Sequence, residues 1–180
     1  MVSKQVHNNM EPSSWVKKCA EMVLEGGSVL DVACGKGRHT RYFLAKGHNV
    51  TAVDIDTTGL DDIADNRYLG VIEADLELFG WPFGGMEYDA IVVTNYLHRP
   101  MFPDLIETLA PGGVLIYETF ALGNEAFGKP SNPDFLLREN ELRDYFGRHL
   151  QILTYEQVFE ESPTVGLKQR ICAIKSDAKH

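Results

Sequence analysis

SVLDVACGKGRHTRYF, residues Ser28 to Phe43, runs from a short apolar segment through an acid and two closely spaced glycines into the start of a helix. Ser28 to Val32 is apolar and carries the β-branched Val29 and Val32, the pattern of a buried strand. Cys34-Gly-Lys-Gly37 can turn tightly, because glycine reaches positive φ without a Cβ penalty. From Arg38 to Lys46 the chain reads as a helix, with Tyr42, Phe43 and Ala45 on its buried face. Gly47 is placed to end it in a left-handed cap.

Strand, glycine turn and helix also describe a dinucleotide-binding unit, and Asp31 separates the two readings. A dinucleotide sets its pyrophosphate on the glycine turn and the helix N-terminus, where a carboxylate four residues before Gly35 would repel it. S-adenosylmethionine brings an ammonium group to that place instead. The third glycine of G-x-G-x-x-G is also missing, with Thr40 in its position. A nicotinamide-dependent oxidoreductase is therefore the weaker rival.

On these residues the sequence resembles the class I S-adenosylmethionine-dependent methyltransferases, whose first motif is an acid, three residues and Gly-x-Gly. Asn49-Val-Thr-Ala-Val-Asp54-Ile-Asp56 is similar to their second strand and Gly70-Val-Ile-Glu-Ala-Asp75-Leu76 to the third. Tyr88 to Asn95 is similar to the fourth, and Leu109-Ala-Pro-Gly-Gly-Val-Leu-Ile-Tyr117 to the turn and fifth strand. GKGRHTRYFLAKGHNVTAVDID is most similar to small methyltransferases of the tellurite-resistance type.

The resemblance implies an α/β, three-layer Rossmann-like fold, a mostly parallel seven-stranded sheet closed by an antiparallel C-terminal hairpin, with S-adenosylmethionine as cofactor and S-adenosylhomocysteine as product. It implies that Asp31 and Gly35 hold the amino-acid end, assisted by the Asn95 carbonyl, with Asp54 at the ribose and Asp75 at the adenine. Ala33, Gly37, Thr40, Ile55 and Leu76 complete the implied cofactor-binding set. Each acid also has a plain reading: Asp54 can cap a helix over Thr57 to Ala64, and Asp75 can be an exposed loop carboxylate.

The methyl acceptor must be sought at strand ends facing the sulfonium. Asn95-Tyr96-Leu97-His98-Arg99-Pro100 follows the fourth strand, where ligands bind in open α/β sheets. Leu97 stands where many amino-group methyltransferases carry prolines. His98 titrates near neutrality and can take a proton during transfer. Tyr96, His98 and Arg99 are thus the candidate catalytic residues, the alternative being that His98 and Arg99 hydrogen-bond their own loop. Thr119 to Phe135 reads as a long loop in which Phe127, Lys129, Asn132 and Phe135 suit a substrate lid or a plain surface connection.

Composition narrows the class further. A chain of 180 residues with 44% hydrophobic content can bury about 70% of its unfolded surface in one domain. The formal charge of −9 disfavours non-specific nucleic-acid binding, which draws its affinity from Lys and Arg. No run of eighteen apolar residues and no leader pattern occur, so a cytoplasmic enzyme without a membrane segment is expected. Cys19, Cys34 and Cys172 lack C-x-x-C spacing, and no metal site is implied. Cys34, at a helix start, is either a stabilised thiolate or a small turn residue.

Ser13 or Ser14 is placed to cap an opening helix with Trp15, Val16, Cys19, Ala20 and Val23 on one stripe. Residues 1 to 10, with His7, read as an arm. His149 to Phe159 and Leu167 to Lys175 read as two strands joined by a short link, hence antiparallel. The expected activity is methyl transfer to a small molecule. RNA or protein methylation with a partner subunit and a non-catalytic cofactor-binding module are the alternatives, and the oligomeric state is open.

Overall fold

A computed structural model describes residues 10–161 and 165–177. The N-terminal arm, except Met10, and the middle of the last strand connection lie outside the described residues. Strands and helices alternate as the apolar periods require: β1 (Ser28–Val32), α2 (Arg38–Ala45), β2 (Asn49–Asp54), β3 (Leu69–Glu73), α3 (Leu76–Phe79), β4 (Tyr88–Thr94), α4 (Phe102–Thr108), β5 (Leu109–Phe120), α5 (Glu141–Phe146), β6 (Gln151–Glu160) and β7 (Gly166–Ile174), with α1 (Ser14–Ala20) ahead of them.

The seven strands form one sheet in the order β3-β2-β1-β4-β5-β7-β6. The pairs from β3 through β5 are parallel, whereas β7 runs against both β5 and β6. The seven-stranded Rossmann-like sheet and its terminal hairpin are as the sequence implied. The chain leaves β1 toward β2 on one side and returns to β4 on the other. A crevice therefore opens at the carboxyl ends of β1 and β4, the place where such sheets bind ligands.

Side-chain alternation sorts the two faces. Leu30, Val32, Ile91, Val93, Leu115 and Tyr117 pack against Phe102, Leu105 and Phe146. Val29, Ala90, Val92, Val114, Ile116 and Cys172 pack against Phe43 of α2 and against Trp15, Val16, Cys19 and Ala20 of α1. Burial of each large side chain here contributes roughly 1.5–3 kcal/mol. Ser13 caps α1 through a hydrogen bond from Trp15 N at 3.1 Å.

Three local expectations change. Ala45 is exposed, and the buried face of α2 is made by His39, Thr40 and Phe43. The segment after β2 forms a 3-10 turn at Thr58–Ile63 without a capping side chain, so Asp54 is not its cap. The presumed loop from Thr119 begins two residues later, because Thr119 and Phe120 still pair with Gln169 and Lys168 in β7.

Candidate active site

The glycine turn is a run of left-handed residues: Ala33 has φ 52°, Gly35 55° and Gly37 76°. At Gly37 a Cβ would stand 2.2 Å from Leu60 Cδ2, so both conformation and space demand glycine there. Cys34 N donates to Val53 O at 3.1 Å, which ties the turn to β2.

Asp31 follows the alternation of β1 and points into the α2 layer below this turn. Its Oδ2 accepts a 2.6 Å hydrogen bond from Thr40 Oγ1. Burial pushes its carboxyl up to about 6, opposed by hydrogen bonds from Thr40 and by the charge of Arg38. Cys34 is buried beside it, and burial together with Asp31 and Asp54 raises its thiol. That environment makes it a turn residue and not a thiolate.

His39, which sequence reasoning passed over, is buried at the start of the same helix. Its Nε2 accepts from Ser13 N at 3.1 Å, which leaves the proton on Nδ1, 3.4 Å from Thr94 Oγ1. Burial, with Arg38 and Lys168 nearby, pushes it down to about 3. A neutral imidazole thus links the α1 cap to the end of β4.

Two cavities lie at the carboxyl edge. The larger, of about 530 Å³, is lined by Ala33, Asp54, Ile55, Ala74, Asp75, Leu76, Glu77, Leu78 and Tyr96. Asp54 Oδ2 accepts from Gly35 N at 2.8 Å and Oδ1 from Asp56 N at 3.1 Å. Asp75 caps α3, with Oδ1 accepting from Glu77 N and Leu78 N, each at 3.0 Å. That cap sends the Glu77 side chain to the rim.

The smaller cavity, of about 210 Å³, is lined by Glu77, Asn95, Tyr96, Leu97, Thr119, Phe120, Pro130 and Phe135. Glu77 and Tyr96 are the wall common to both, and the Tyr96 hydroxyl donates to Glu77 Oε1 at 3.3 Å. Burial, then the charges of Glu77, Asp75 and Asp54, raise the Tyr96 phenol, so it stays protonated. Asn95 bends the chain here with φ 53°, held by its N donating to Glu118 O at 2.9 Å. Tyr117 Oη donates to Tyr96 O at 2.8 Å.

Of the expected residues, Ala33, Asp54, Ile55, Asp75 and Leu76 line the larger cavity, Asn95 the smaller, and Tyr96 both. Asp31 and Thr40 are buried under the turn and, like Gly35 and Gly37, lie outside both linings. His98 precedes the short 3-10 turn at Arg99–Met101 and is also outside them.

Arg99 makes the loop-bonding contacts of the alternative reading. It grips Glu141 through two hydrogen bonds of 2.6 and 2.9 Å and donates to the carbonyls of Asp134 and Leu136. The segment from 121 to 137 is pinned elsewhere as well: buried Asn124 donates to Pro130 O and accepts from Leu167 N, and the Phe127 ring packs on Phe159 at 4.6 Å. Phe135 reaches the cavity, whereas Phe127, Lys129 and Asn132 do not line it. Among the described residues no three His, Cys, Asp or Glu side chains gather as a metal site.

Comparison with known proteins places this geometry. The family description "Methyltransferase domain" matches residues 29–113. Malonyl-[acyl-carrier protein] O-methyltransferase of Salmonella typhimurium is 32% identical over 105 residues, 54% of this chain and 40% of that protein. The Serratia marcescens enzyme of the same name is 30% identical over 104 residues, 55% and 40% of the two chains. The match thus spans about two fifths of the length of these relatives.

Among solved structures, Burkholderia thailandensis 1,6-didemethyltoxoflavin-N1-methyltransferase, with its acceptor and S-adenosylhomocysteine bound, superposes with TM-score 0.66 at 18% identity, covering 91% of this chain and 79% of the other. TehB from Haemophilus influenzae gives 0.69 at 21%, covering 92% and 63%. At such identities the likeness is one of fold.

Proposed function

We propose that this chain is a class I S-adenosylmethionine-dependent methyltransferase, as its match to the methyltransferase domain over residues 29–113 and the likeness of its fold support, and that it methylates a small molecule held in the smaller cavity. The observation that carries this reading is the wall of Glu77 and Tyr96 shared by two cavities, one suited to a nucleoside and the other to a compact acceptor.

The residues lining the larger cavity fit the nucleoside part of the cofactor. Carboxylates at the ends of β2 and next to β3 stand among Ile55, Ala74, Leu76 and Leu78, which is acceptor chemistry for hydroxyls and an amine beside an apolar slot for a base. A buried carboxyl pushed up by desolvation gains most from a cation nearby, and that is the state of Asp31. S-adenosylmethionine supplies an electrophilic methyl group on a sulfonium. In this assignment Asp31 and the Asn95 carbonyl hold the ammonium, Asp54 the ribose hydroxyls, and Asp75 with Leu76 the adenine.

Orientation and desolvation can supply about 7–11 kcal/mol of barrier lowering, so the protein's main task is to align the acceptor with the methyl group. Tyr96, protonated and hydrogen-bonded to Glu77, orients the acceptor as a neutral group. It is preferred to His98 and Arg99 because it alone of the three lines both cavities. The small volume, about 210 Å³, and the formal charge of −9 support a small acceptor over RNA. The curated relatives named above act, by name, on a carrier-bound malonyl group, and this chain covers only part of their length.

Thermal shift with S-adenosylhomocysteine and with NAD tests the cofactor. Ligand at one hundred times its dissociation constant adds about 2.7 kcal/mol, roughly 5–10 °C for a chain of this size. Stabilisation by NAD and not by S-adenosylhomocysteine overturns the proposal.

A further inference from the structure

The smaller cavity carries a charge pattern that selects among acceptors. We infer that it takes a planar nitrogen nucleophile, an aromatic ring nitrogen or arylamine that becomes cationic on methylation, and rejects carboxylates and other anions. This inference rests on the methyltransferase reading above.

Among the described residues, neither cavity lining contains Lys, Arg or His, whereas Asp54 and Asp75 line the larger cavity and Glu77 lines both. Asp54 and Asp75 each accept two backbone hydrogen bonds. Glu77, on the shared wall, receives only the 3.3 Å contact from Tyr96, so it has acceptor capacity left for a ligand. Two cations near the cavity are committed to carboxylates. Arg99 holds Glu141, and Lys168, stacked behind Phe120 at 5.2 Å, holds Glu160 at 2.9 Å.

Beside Asn95, Leu97, Thr119 and Pro130, the rest of the smaller lining is aromatic: Tyr96, Phe120 and Phe135. Such faces attract positive charge and planar groups. In the transfer the nitrogen lone pair forms the new C–N bond as the C–S bond breaks and its electron pair returns to sulfur. The positive charge passes from sulfur to nitrogen, and atoms and charge balance without an added reagent. A site walled by the Glu77 carboxylate and aromatic side chains stabilises that arriving charge. Among the described residues no cation lines this cavity, so an anionic acceptor would enter it without a protein counter-charge.

Three isosteres separate the cases: N-methylquinolinium as product-like cation, quinoline as neutral ring and 2-naphthoate as anion, titrated by calorimetry into the complex with S-adenosylhomocysteine. The expected order is cation, then neutral, then anion, with at least roughly tenfold between the first and last. Glu77→Gln should weaken the cation about threefold to tenfold and leave quinoline within about twofold, because a rim charge contributes modestly. Equal or tighter binding of 2-naphthoate, no binding of the cation below about 10 mM, or an unchanged cation affinity in Glu77→Gln overturns the inference. If S-adenosylhomocysteine itself does not bind, the methyltransferase reading fails first and the inference falls with it.

Discussion

Thr40 Oγ1 donates to Asp31 Oδ2 at 2.6 Å beneath the glycine turn, so the acid expected to meet a cation is already held by the helix that follows it. The carboxyl nevertheless lies near 6, because burial outweighs that bond. Affinity for S-adenosylmethionine should fall about tenfold per pH unit below about pH 6, as the acid protonates and loses its charge. Thr40→Val removes a donor to the charged form and should move that break to higher pH. Isothermal titration between about pH 5 and 8 reads both, and a flat profile would exclude Asp31 as the ammonium partner.

Asp31→Asn should make the apoprotein more stable at neutral pH while abolishing cofactor binding. The folded-state value of about 6 lies above the ordinary 3.8, so the folded protein binds the extra proton. Stability from this group is therefore greatest below about pH 4 and declines as the pH rises through about 6. Removing the charge should recover of the order of 1–3 kcal/mol at pH 7.5, read as a rise in Tm of the ligand-free protein.

His39 works in the opposite direction. Its value in the fold, about 3, lies below the ordinary 6.5, so the unfolded chain takes the proton first. Its contribution is complete above about pH 7 and is lost as the pH falls from about 6.5 toward 3. Between about pH 4 and 6 the two residues offset one another. Asp31→Asn should steepen acid destabilisation, and His39→Gln should flatten it relative to the unaltered protein. Tm measured against pH for the three proteins checks this, and parallel curves would refute it.

Arg99 is expected to matter for stability and not for chemistry. Lysine cannot reproduce its paired grip on Glu141 together with the carbonyls of Asp134 and Leu136. Arg99→Lys should cost about 1–3 kcal/mol in urea unfolding and leave the dissociation constant of S-adenosylhomocysteine within about twofold. Full stability with impaired acceptor binding would return Arg99 to the site.

The contrast between Asp31 and Arg99 shows what the sequence makes legible. Asp31, Asp54 and Asp75 stand at the ends of apolar runs next to glycine or helix starts, so local pattern locates them at the carboxyl edge of the sheet. The strand order follows from the same runs. Arg99 depends on Glu141, and His39 on Ser13 and Thr94, partners far apart in the chain that no local period connects. Glu77 belongs to the cavity wall because Asp75 caps a helix of only four residues, too short to leave an apolar rhythm. The segment after Phe120 reads as loop by composition, yet Asn124 and Phe127 tie it to β7 and β6.

A buried ionic group supports the bend at Asn95. Arg170 faces Glu118 across β5 and β7, with Nε 3.2 Å from Oε2, and also binds Glu160, which Lys168 holds in turn. Glu118 is fully buried, and its main-chain carbonyl accepts from Asn95 N. Arg170→Met leaves two buried carboxylates to one lysine and should cost about 3–5 kcal/mol, whereas adding Glu118→Gln should restore a good part of that loss. The coupling is read from the urea midpoint of both single variants and the double one. Because the Glu118 main chain anchors Asn95, Arg170→Met should also weaken S-adenosylhomocysteine binding in proportion to the stability lost. Additive stabilities would show instead that the pair across β5 and β7 is not coupled, and that the strand-end bend is held by backbone hydrogen bonding alone.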